Sequence, residues 1–275
     1  MSGRALGDAF PLRALVTRPR HQAGRLAARL RARGIGCLVE PMLEIVPLPW
    51  NAGTALPGRQ AVLLTSPNAA AALLRAIADG AIGPAELPPV LAVGTATARP
   101  LVRAGVGRVE AAPGSNAADL LRLAQERLDP RGGTLAYLSG EAVACDLGHI
   151  LAASGYTVER TVVYAAVPVR RLRPRARAAI AQGAVQVAPF LSARAATAFR
   201  DLLAEEGLNA ACRGMVGVAL SPRVAEAMQS LPWRALAVAA RPDLEGLLAA
   251  LDGQVAGLGE GANAHGALDA RRAPP

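Results

Sequence analysis

One stretch decides how the rest of the chain is interpreted: Thr157-Val-Glu-Arg-Thr-Val-Val-Tyr164-Ala-Ala-Val-Pro168. Its β-branched residues predict a strand that ends at Pro168, because proline cannot donate to a sheet ladder. A similar stretch, Cys37–Pro47, lies 121 residues earlier, and each follows a helix-like segment that ends at a glycine, Gly34 or Gly155. We therefore predict two paired connecting strands between two similar lobes, with Tyr164 facing the cleft between them.

Short apolar runs alternate with helical patterns along the remaining sequence. Alternation of this kind predicts a parallel sheet covered by helices on both faces. An internal repeat supports two such lobes, because Ser66 and Ser192 are 126 residues apart and Leu120 and Leu247 are 127 apart. Repetition at one period relates several predicted strand ends at once, so it is stronger evidence than a single motif.

The order of the repeats predicts where each lobe begins and ends. The chain starts in one lobe, crosses into the second, and returns to complete the first, which is therefore discontinuous. The predicted first lobe is 12–41 plus 169–252, the second lobe 47–165, the connectors 42–46 and 166–168, and the disordered tails 1–11 and 253–275.

Composition restricts the chemistry. The net charge is +9 and all the cationic side chains are arginine, which excludes Schiff-base chemistry on lysine and the usual Gly-Lys-Ser/Thr phosphate loop. The charge favours a polyanionic ligand, while eight aromatic residues are too few for stacking platforms on single-stranded nucleic acid. Cys37, Cys145 and Cys212, like His21, His149 and His265, share no metal-ligand spacing, so no metal is expected and the thiols are interpreted as buried and inert.

Small, hydroxylated or glycine residues follow nearly every predicted strand. Ligands of open α/β sheets bind at these carboxyl ends, where helix N-termini present free N–H groups to anions. A helix N-cap explains each residue alone, but the recurrence favours a cleft that binds a polyanion. The candidate binding residues are Arg18, Thr65, Ser66, Gly94, Thr97, Ser139, Gly140, Ser192 and Ser221.

Four segments in this order resemble the uroporphyrinogen-III synthase family: Val16-Thr-Arg-Pro19, Leu64-Thr-Ser-Pro-Asn-Ala69, Val93-Gly-Thr-Ala-Thr-Ala98 and Val162-Val-Tyr164. The resemblance covers roughly residues 12 to 252. It implies an α/β fold of two flavodoxin-like parallel-sheet lobes joined by a two-stranded β linker. It also implies a lyase that cyclises the linear tetrapyrrole hydroxymethylbilane, with loss of water and inversion of ring D, and that needs no cofactor.

The resemblance assigns roles to two side chains. Tyr164 matches the tyrosine that is linked to departure of the substrate hydroxyl, although a buried strand tyrosine with a satisfied hydroxyl is the alternative. Thr97 matches the threonine of a Gly-x-x-Thr-Ala turn and either binds substrate or caps its helix. The equivalent turn of the first lobe departs from the pattern, because Val224 replaces threonine and Leu191-Ser192-Ala193 replaces Thr-Ser-Pro.

Alternatives to the synthase remain open at this stage. A non-catalytic bilobed protein that binds an anionic small molecule is the second hypothesis, and a nucleic-acid binder, supported by charge alone, is the third. The arginines between Arg170 and Arg177 form either a solvated face, the favoured interpretation, or a substrate clamp. We expect a cytoplasmic protein, because Met1–Pro11 lacks an apolar signal region and no run is long enough to span a membrane. A monomer is also expected, because nothing in the sequence suggests an obligate partner surface.

Overall fold

The computed structural model describes residues 10, 12–114, 116–143 and 146–256. Contacts divide the chain into two compact units, one formed by residues up to Glu44 and from Pro168 onward, the other by Ile45–Val167. The strands are β1 Leu12–Val16, β2 Ile35–Val39, β3 Leu43–Pro47, β4 Ala61–Leu64, β5 Val90–Ala92, β6 Val109–Ala111, β7 Leu135–Gly140, β8 Val158–Pro168, β9 Val187–Phe190, β10 Val216–Ala219 and β11 Ala235–Val238.

Helices follow most of these strands. They are α1 Arg20–Arg31, α2 Ala52–Ala55, α3 Pro67–Ala78, α4 Thr95–Arg103, α5 Ala117–Arg127, α6 Leu147–Ala153, α7 Pro174–Ala181, α8 Ala193–Glu205, α9 Pro222–Met228 and α10 Leu244–Val255, with a 3₁₀ helix at Asn209–Gly214. Gly34 and Gly155, predicted as helix ends, have φ of 73° and 86°, a left-handed conformation that favours glycine. None of the helices in the described part of the chain combines the length and apolar character needed to cross a membrane.

The first unit contains a five-stranded sheet in the order β11-β10-β9-β1-β2, whose neighbours are all parallel. Strand residues alternate between two cores: Leu15 and Phe190 pack with α8 and α9, whereas Val16 and Val187 pack with α1 and α10. Counted along the chain, the spatial order is 2-1-3-4-5, the flavodoxin-like arrangement.

The second unit contains a six-stranded sheet in the order β3-β8-β7-β4-β5-β6, parallel from β8 to β6. Counting the first unit from β9 gives β4 to β8 the same spatial order as β9, β10, β11, β1 and β2. The predicted repeat is therefore visible in the structure. Ser66 and Ser192 both precede helices after equivalent strands, and Leu120 and Leu247 are both fully buried.

Three predicted elements were wrong in their bounds. Cys37–Pro47 is two strands rather than one, because the chain breaks after Val39 and resumes at Leu43. The sequence pattern predicts a helix from about Ala142, but α6 begins at Leu147. Asp146 is its N-cap, because the Asp146 side chain accepts the N–H of His149 at 3.1 Å. The last helix continues to Val255, beyond the predicted start of a tail at Gly253. Helix α7 was not predicted.

Candidate functional site

The carboxyl ends of three neighbouring strands bring the predicted residues of the second unit to one sheet edge. Strands β7, β4 and β5 are adjacent, and they end at Ser139–Gly140, before Thr65–Ser66 and before Gly94, respectively. This edge is where parallel α/β sheets bind ligands. The predicted grouping is therefore present within this unit.

Tyr164 lies beside the first turn of α3. Its hydroxyl is 2.9 Å from the hydroxyl of Ser66, and the Ser66 Oγ also accepts the N–H of Ala69 at 3.2 Å. Ser66 therefore caps the helix and contacts Tyr164 through the same oxygen. The Ser66 oxygen keeps a second lone pair besides the one that the Ala69 N–H uses, so either hydroxyl can donate across this contact.

Gly140 allows the close approach of Tyr164. The register between β7 and β8 shifts after Ser139, which pairs with Val162, so that Gly140 pairs with Tyr164. A Cβ at Gly140 would lie 2.6 Å from the Tyr164 Cζ atom, closer than any real contact. The strand irregularity and the absence of a side chain together make room for the tyrosine ring.

Arg160, which was not among the predicted residues, holds this irregular segment. Its Nε donates to Ser139 Oγ at 2.7 Å, and one terminal nitrogen donates to the carbonyls of Gly140 and Glu141 at 2.7 and 2.8 Å. No spacing in the sequence indicated this role, because the register shift between Val162 and Tyr164 interrupts the alternation of side chains along β8.

A second pair of hydroxyls, those of Thr65 and Tyr137, lies at the same edge of the sheet. The Thr65 hydroxyl lies 3.1 Å from that of Tyr137, whose side chain is 1% exposed. Burial raises the pKa of Tyr137, and the hydrogen bond to Thr65 opposes that effect only in part. Tyr137 therefore remains neutral and positions Thr65.

Gly94 and Thr97 form the first turn of α4. Gly94 has φ 74° and carries no side chain to cap the helix, so the first N–H groups face outward without a side-chain acceptor. Thr97 is 1% exposed, and its backbone N–H donates to the Gly94 carbonyl at 3.2 Å. Its equivalent in the first unit, Val224, is also buried, so the shape of the turn is kept without the hydroxyl.

The first unit has its own polar edge. Arg18 follows β1, and Ser192 and Ser221 follow the neighbouring strands β9 and β10. Neither serine side chain caps its helix, in contrast to Ser66. Arg18 donates to the Gln22 side chain at 2.6 Å and has no acidic partner within the described ranges. Burial lowers the pKa of its guanidinium, so a carboxylate ligand would compensate for lost hydration.

Two arginines of the run 170–177 form ion pairs within the first unit. Arg173 Nε donates to the buried Glu40 carboxylate at 2.7 Å, while the Arg173 backbone N–H donates to the other Glu40 oxygen at 3.0 Å. Arg177 lies 3.0 Å from Glu206, which also accepts the Leu172 N–H. These two side chains are therefore anchored as well as partly solvated, and a substrate clamp would have to release a carboxylate from each.

A cavity of about 670 Å³ lies in the first unit, bordered by Leu43, Pro168 and Val169 and by one face of α8 and α9. Arg223 and Thr197 line it near the helix N-termini, whereas Glu205 and Glu226 line the more distant part. Because both signs of charge are present, the cavity does not by itself select a polyanion.

The thiols carry no evidence of a site. Cys212 is fully buried, and burial raises its pKa to about 12. Cys37 is half-buried, and burial raises its pKa against the opposing charge of Arg31. Cys145 and His265 lie outside the described residues, and the described residues contain no group of three His, Cys, Asp or Glu side chains able to hold a metal.

Comparisons with known proteins agree with this architecture. The family model described as uroporphyrinogen-III synthase HemD matches residues 24–249. The uroporphyrinogen-III synthase of Chlorobaculum parvum is 30% identical over 205 residues, which cover 71% of this chain and 80% of that protein.

Two solved structures show the same fold. A mutant uroporphyrinogen III synthase from the extremely thermophilic bacterium Thermus thermophilus is 21% identical, with a TM-score of 0.52 over 90% of this chain and 99% of that one. The uroporphyrinogen-III synthetase of Helicobacter pylori is 16% identical, with a TM-score of 0.50 over 86% of this chain and 96% of that one.

The fold and the matches define an α/β enzyme of tetrapyrrole biosynthesis, a cyclising lyase with two parallel sheets. More particularly, the chain belongs to the uroporphyrinogen-III synthase family. The predicted fold class and family are thereby confirmed.

Proposed function

We propose that this chain converts hydroxymethylbilane to uroporphyrinogen III by a cyclising dehydration that inverts ring D. The single observation that carries this proposal is the family match across residues 24–249. The paired hydroxyls of Tyr164 and Ser66 at the carboxyl edge of the sheet give that match a chemical location. The reaction loses one water; inversion of ring D breaks one carbon–carbon bond to that ring and the overall closure forms two, without net oxidation, so its balance requires no redox cofactor.

Tyr164 assists the first step, in which the substrate hydroxyl leaves an electron-rich pyrrole as water and an azafulvene cation remains. A hydroxide is a poor leaving group, so a hydrogen bond or proton from a positioned donor lowers the barrier. Either hydroxyl can donate across the 2.9 Å contact between Tyr164 and Ser66; in the proposed step Ser66 donates, which leaves the tyrosine proton for the substrate. Tyr164 is the proposed catalytic residue.

Backbone N–H groups and one arginine bind the substrate carboxylates. The helices that begin after Gly94, Ser192 and Ser221 lack side-chain caps, and in this proposal their first turns bind the anions. Arg18 adds a guanidinium without an acidic partner in the described chain. Thr65, Ser66, Thr97, Ser139 and Gly140 complete the proposed binding set in the second unit.

Positioning supplies most of the catalysis in this proposal. The azafulvene cation closes spontaneously to the uninverted isomer, so the enzyme must hold the chain ends such that ring D reacts through its substituted carbon. Binding several carboxylates fixes that geometry and lowers the entropic barrier, which can account for many orders of magnitude in rate.

The test supplies purified protein with hydroxymethylbilane and resolves the porphyrin isomers after oxidation. An excess of type III over the spontaneous type I product is expected. Type I alone, with tight binding of the substrate, would instead support the non-catalytic binding protein.

We also propose that the enzyme is a cytoplasmic monomer that does not bind nucleic acid. Light scattering coupled to gel filtration should give a mass near 28.1 kDa. Retention on DNA at low salt, lost steeply as salt increases, would overturn the last part of this proposal.

A further inference from the structure

We propose that Arg160 is a positioning residue, whose guanidinium holds the Ser139–Glu141 segment in the conformation that places Tyr164. This inference rests on the proposed function of Tyr164 and adds a residue to it. Arg160 does not have to touch the substrate in this role. It acts through the end of β7.

The contacts of Arg160 match the fork shape of a guanidinium. Three donors reach one side-chain oxygen and two consecutive carbonyls, all within 2.8 Å. Lysine has a single ammonium on a flexible stem and cannot reproduce this arrangement, although it keeps the charge. Ser139 is fully buried, so its hydroxyl has few alternatives to this bond.

The segment held by Arg160 is in direct contact with Tyr164. The Glu141 N–H donates to the Tyr164 carbonyl at 2.9 Å, and the Gly140 α-carbon packs against the tyrosine ring. β8 is therefore hydrogen-bonded to the end of β7 at two places, through the Arg160 side chain and through the Tyr164 backbone. Releasing the first allows the irregular segment to move against the ring.

Such a movement is expected to affect turnover more than substrate affinity. Tyr164 reaches Ser66 at 2.9 Å, and a displacement of about 1 Å in a reacting group can reduce a rate by about a hundredfold. The helix N-termini that bind carboxylates are unchanged by it, and of the proposed binding residues only Ser139 and Gly140 belong to the segment that Arg160 holds. A loss in kcat with a nearly constant KM therefore separates positioning from direct binding.

The first experiment compares Arg160→Gln and Arg160→Lys with Arg122→Gln, which removes an exposed arginine paired with Asp119 on α5. We expect both Arg160 variants to lose tenfold or more in kcat, with KM within threefold of wild type and a smaller share of type III product. Arg122→Gln should match wild type. A rise in KM alone, or full recovery in Arg160→Lys, would overturn the proposal, because either result indicates that charge binds the substrate directly.

The second experiment observes Tyr164 without relying on turnover. The chain has three tyrosines, so fluorotyrosine labelling gives three ¹⁹F resonances, and Tyr164→Phe assigns the one of interest. Arg160→Gln should shift or broaden the Tyr164 resonance and leave that of Tyr156, which bonds to the Leu128 carbonyl, unchanged. An unchanged Tyr164 resonance overturns the positioning role.

The product isomer and the Tyr164 resonance distinguish failure of the proposed function from failure of the positioning role. If wild type makes only type I product while the Tyr164 resonance still responds to Arg160, the proposed function fails and the positioning role stands. If wild type makes type III product and neither kcat nor the resonance responds, the positioning role fails. Thermal unfolding of each variant verifies that the compared proteins are folded, and Arg160→Lys replaces Arg160→Gln if the latter does not fold.

Discussion

The hydroxyls of Tyr164 and Ser66 lie 2.9 Å apart although 98 residues separate them in the chain. Tyr164 lies within β8, whereas Ser66 is the N-cap of α3, which follows β4. In the sheet, β7 lies between β8 and β4. The contact between the two residues links the candidate proton donor to a helix N-terminus, and the first two predictions depend on it.

Removing the Tyr164 hydroxyl should reduce turnover. We expect Tyr164→Phe to lower kcat by tenfold or more, toward the lower end of the range typical of a lost general acid. Tyr156→Phe is the matched control, because it removes a hydroxyl that bonds to the Leu128 carbonyl away from the site. Steady-state kinetics on both variants measure the effect. If Tyr164→Phe and wild type have equal kcat, Tyr164 has no part in the mechanism.

Ser66 should act through Tyr164 as well as through its helix. Ser66→Ala is expected to lower stability by about 1 kcal/mol, from the lost N-cap, and also to lower kcat. Asn116→Ala removes the cap of α5, where the side chain accepts the Asp119 N–H at 2.9 Å, and should cost similar stability without loss of kcat.

A double variant isolates the coupling between the two hydroxyls. Adding Ser66→Ala to Tyr164→Phe should reduce kcat little further, because the hydrogen bond is already absent. Fully additive losses in kcat would mean that Ser66 contributes independently of Tyr164.

Gly140→Ala should damage both stability and activity. The new methyl group would lie 2.6 Å from the Tyr164 ring, so the ring or the strand must move, at a cost of about 1–3 kcal/mol. Gly107→Ala is the control, because a Cβ there meets nothing within 4 Å. Denaturant unfolding and kinetics measure the two effects, and an unaffected Gly140→Ala enzyme would contradict the packing described for this pair.

Thr97 and Val224 occupy equivalent turns and offer a reciprocal exchange. Thr97→Val removes a buried hydroxyl and keeps a side chain of similar shape, so the proposed substrate contact of Thr97 predicts a several-fold rise in KM. Val224→Thr should leave kinetics unchanged and cost about 1–3 kcal/mol, because it buries a polar group. Equal kinetics for Thr97→Val and wild type would show that Thr97 has a structural role only.

Cys212 should resist alkylation in the folded protein. Burial raises its pKa from an ordinary value of about 9 to about 12, so the reactive thiolate is scarce at pH 8. Since the folded pKa is the higher one, the associated stability is present below pH 9 and is lost as the pH rises toward 12. Peptide mass spectrometry after iodoacetamide treatment should find Cys37 modified before Cys212, and rapid labelling of Cys212 at pH 8 would contradict its burial.

Local pattern was sufficient for most of the fold. The short apolar run Ala61–Leu64 predicts a strand with the bounds that the structure shows, and so does the shorter segment Val109–Ala111, although it contains Glu110. The repeat of 126 residues between Ser66 and Ser192 also predicted equivalent helix starts. These features depend on neighbours in sequence, which a single chain displays directly.

Long-range contacts explain what was missed. The stretch Cys37–Pro47 is interrupted at Glu40-Pro41, where the proline has no N–H to donate, and the Glu40 carboxylate binds Arg173, 133 residues away, a pairing that no periodicity records. Arg160 likewise looked like one charged residue in a strand, and its role appears only when β7 lies beside it. The Tyr164–Ser66 hydrogen bond itself could not be predicted from either segment alone.

The backbone enters and leaves the inserted part of the chain at adjacent points, since the Val169 N–H donates to the Met42 carbonyl at 3.1 Å. The two sequence segments of the first unit, up to Glu44 and from Pro168 onward, are therefore hydrogen-bonded to each other where the inserted segment Ile45–Val167 begins and ends. Replacing Ile45–Val167 with a loop of a few residues would therefore make the first unit a domain formed by one continuous segment.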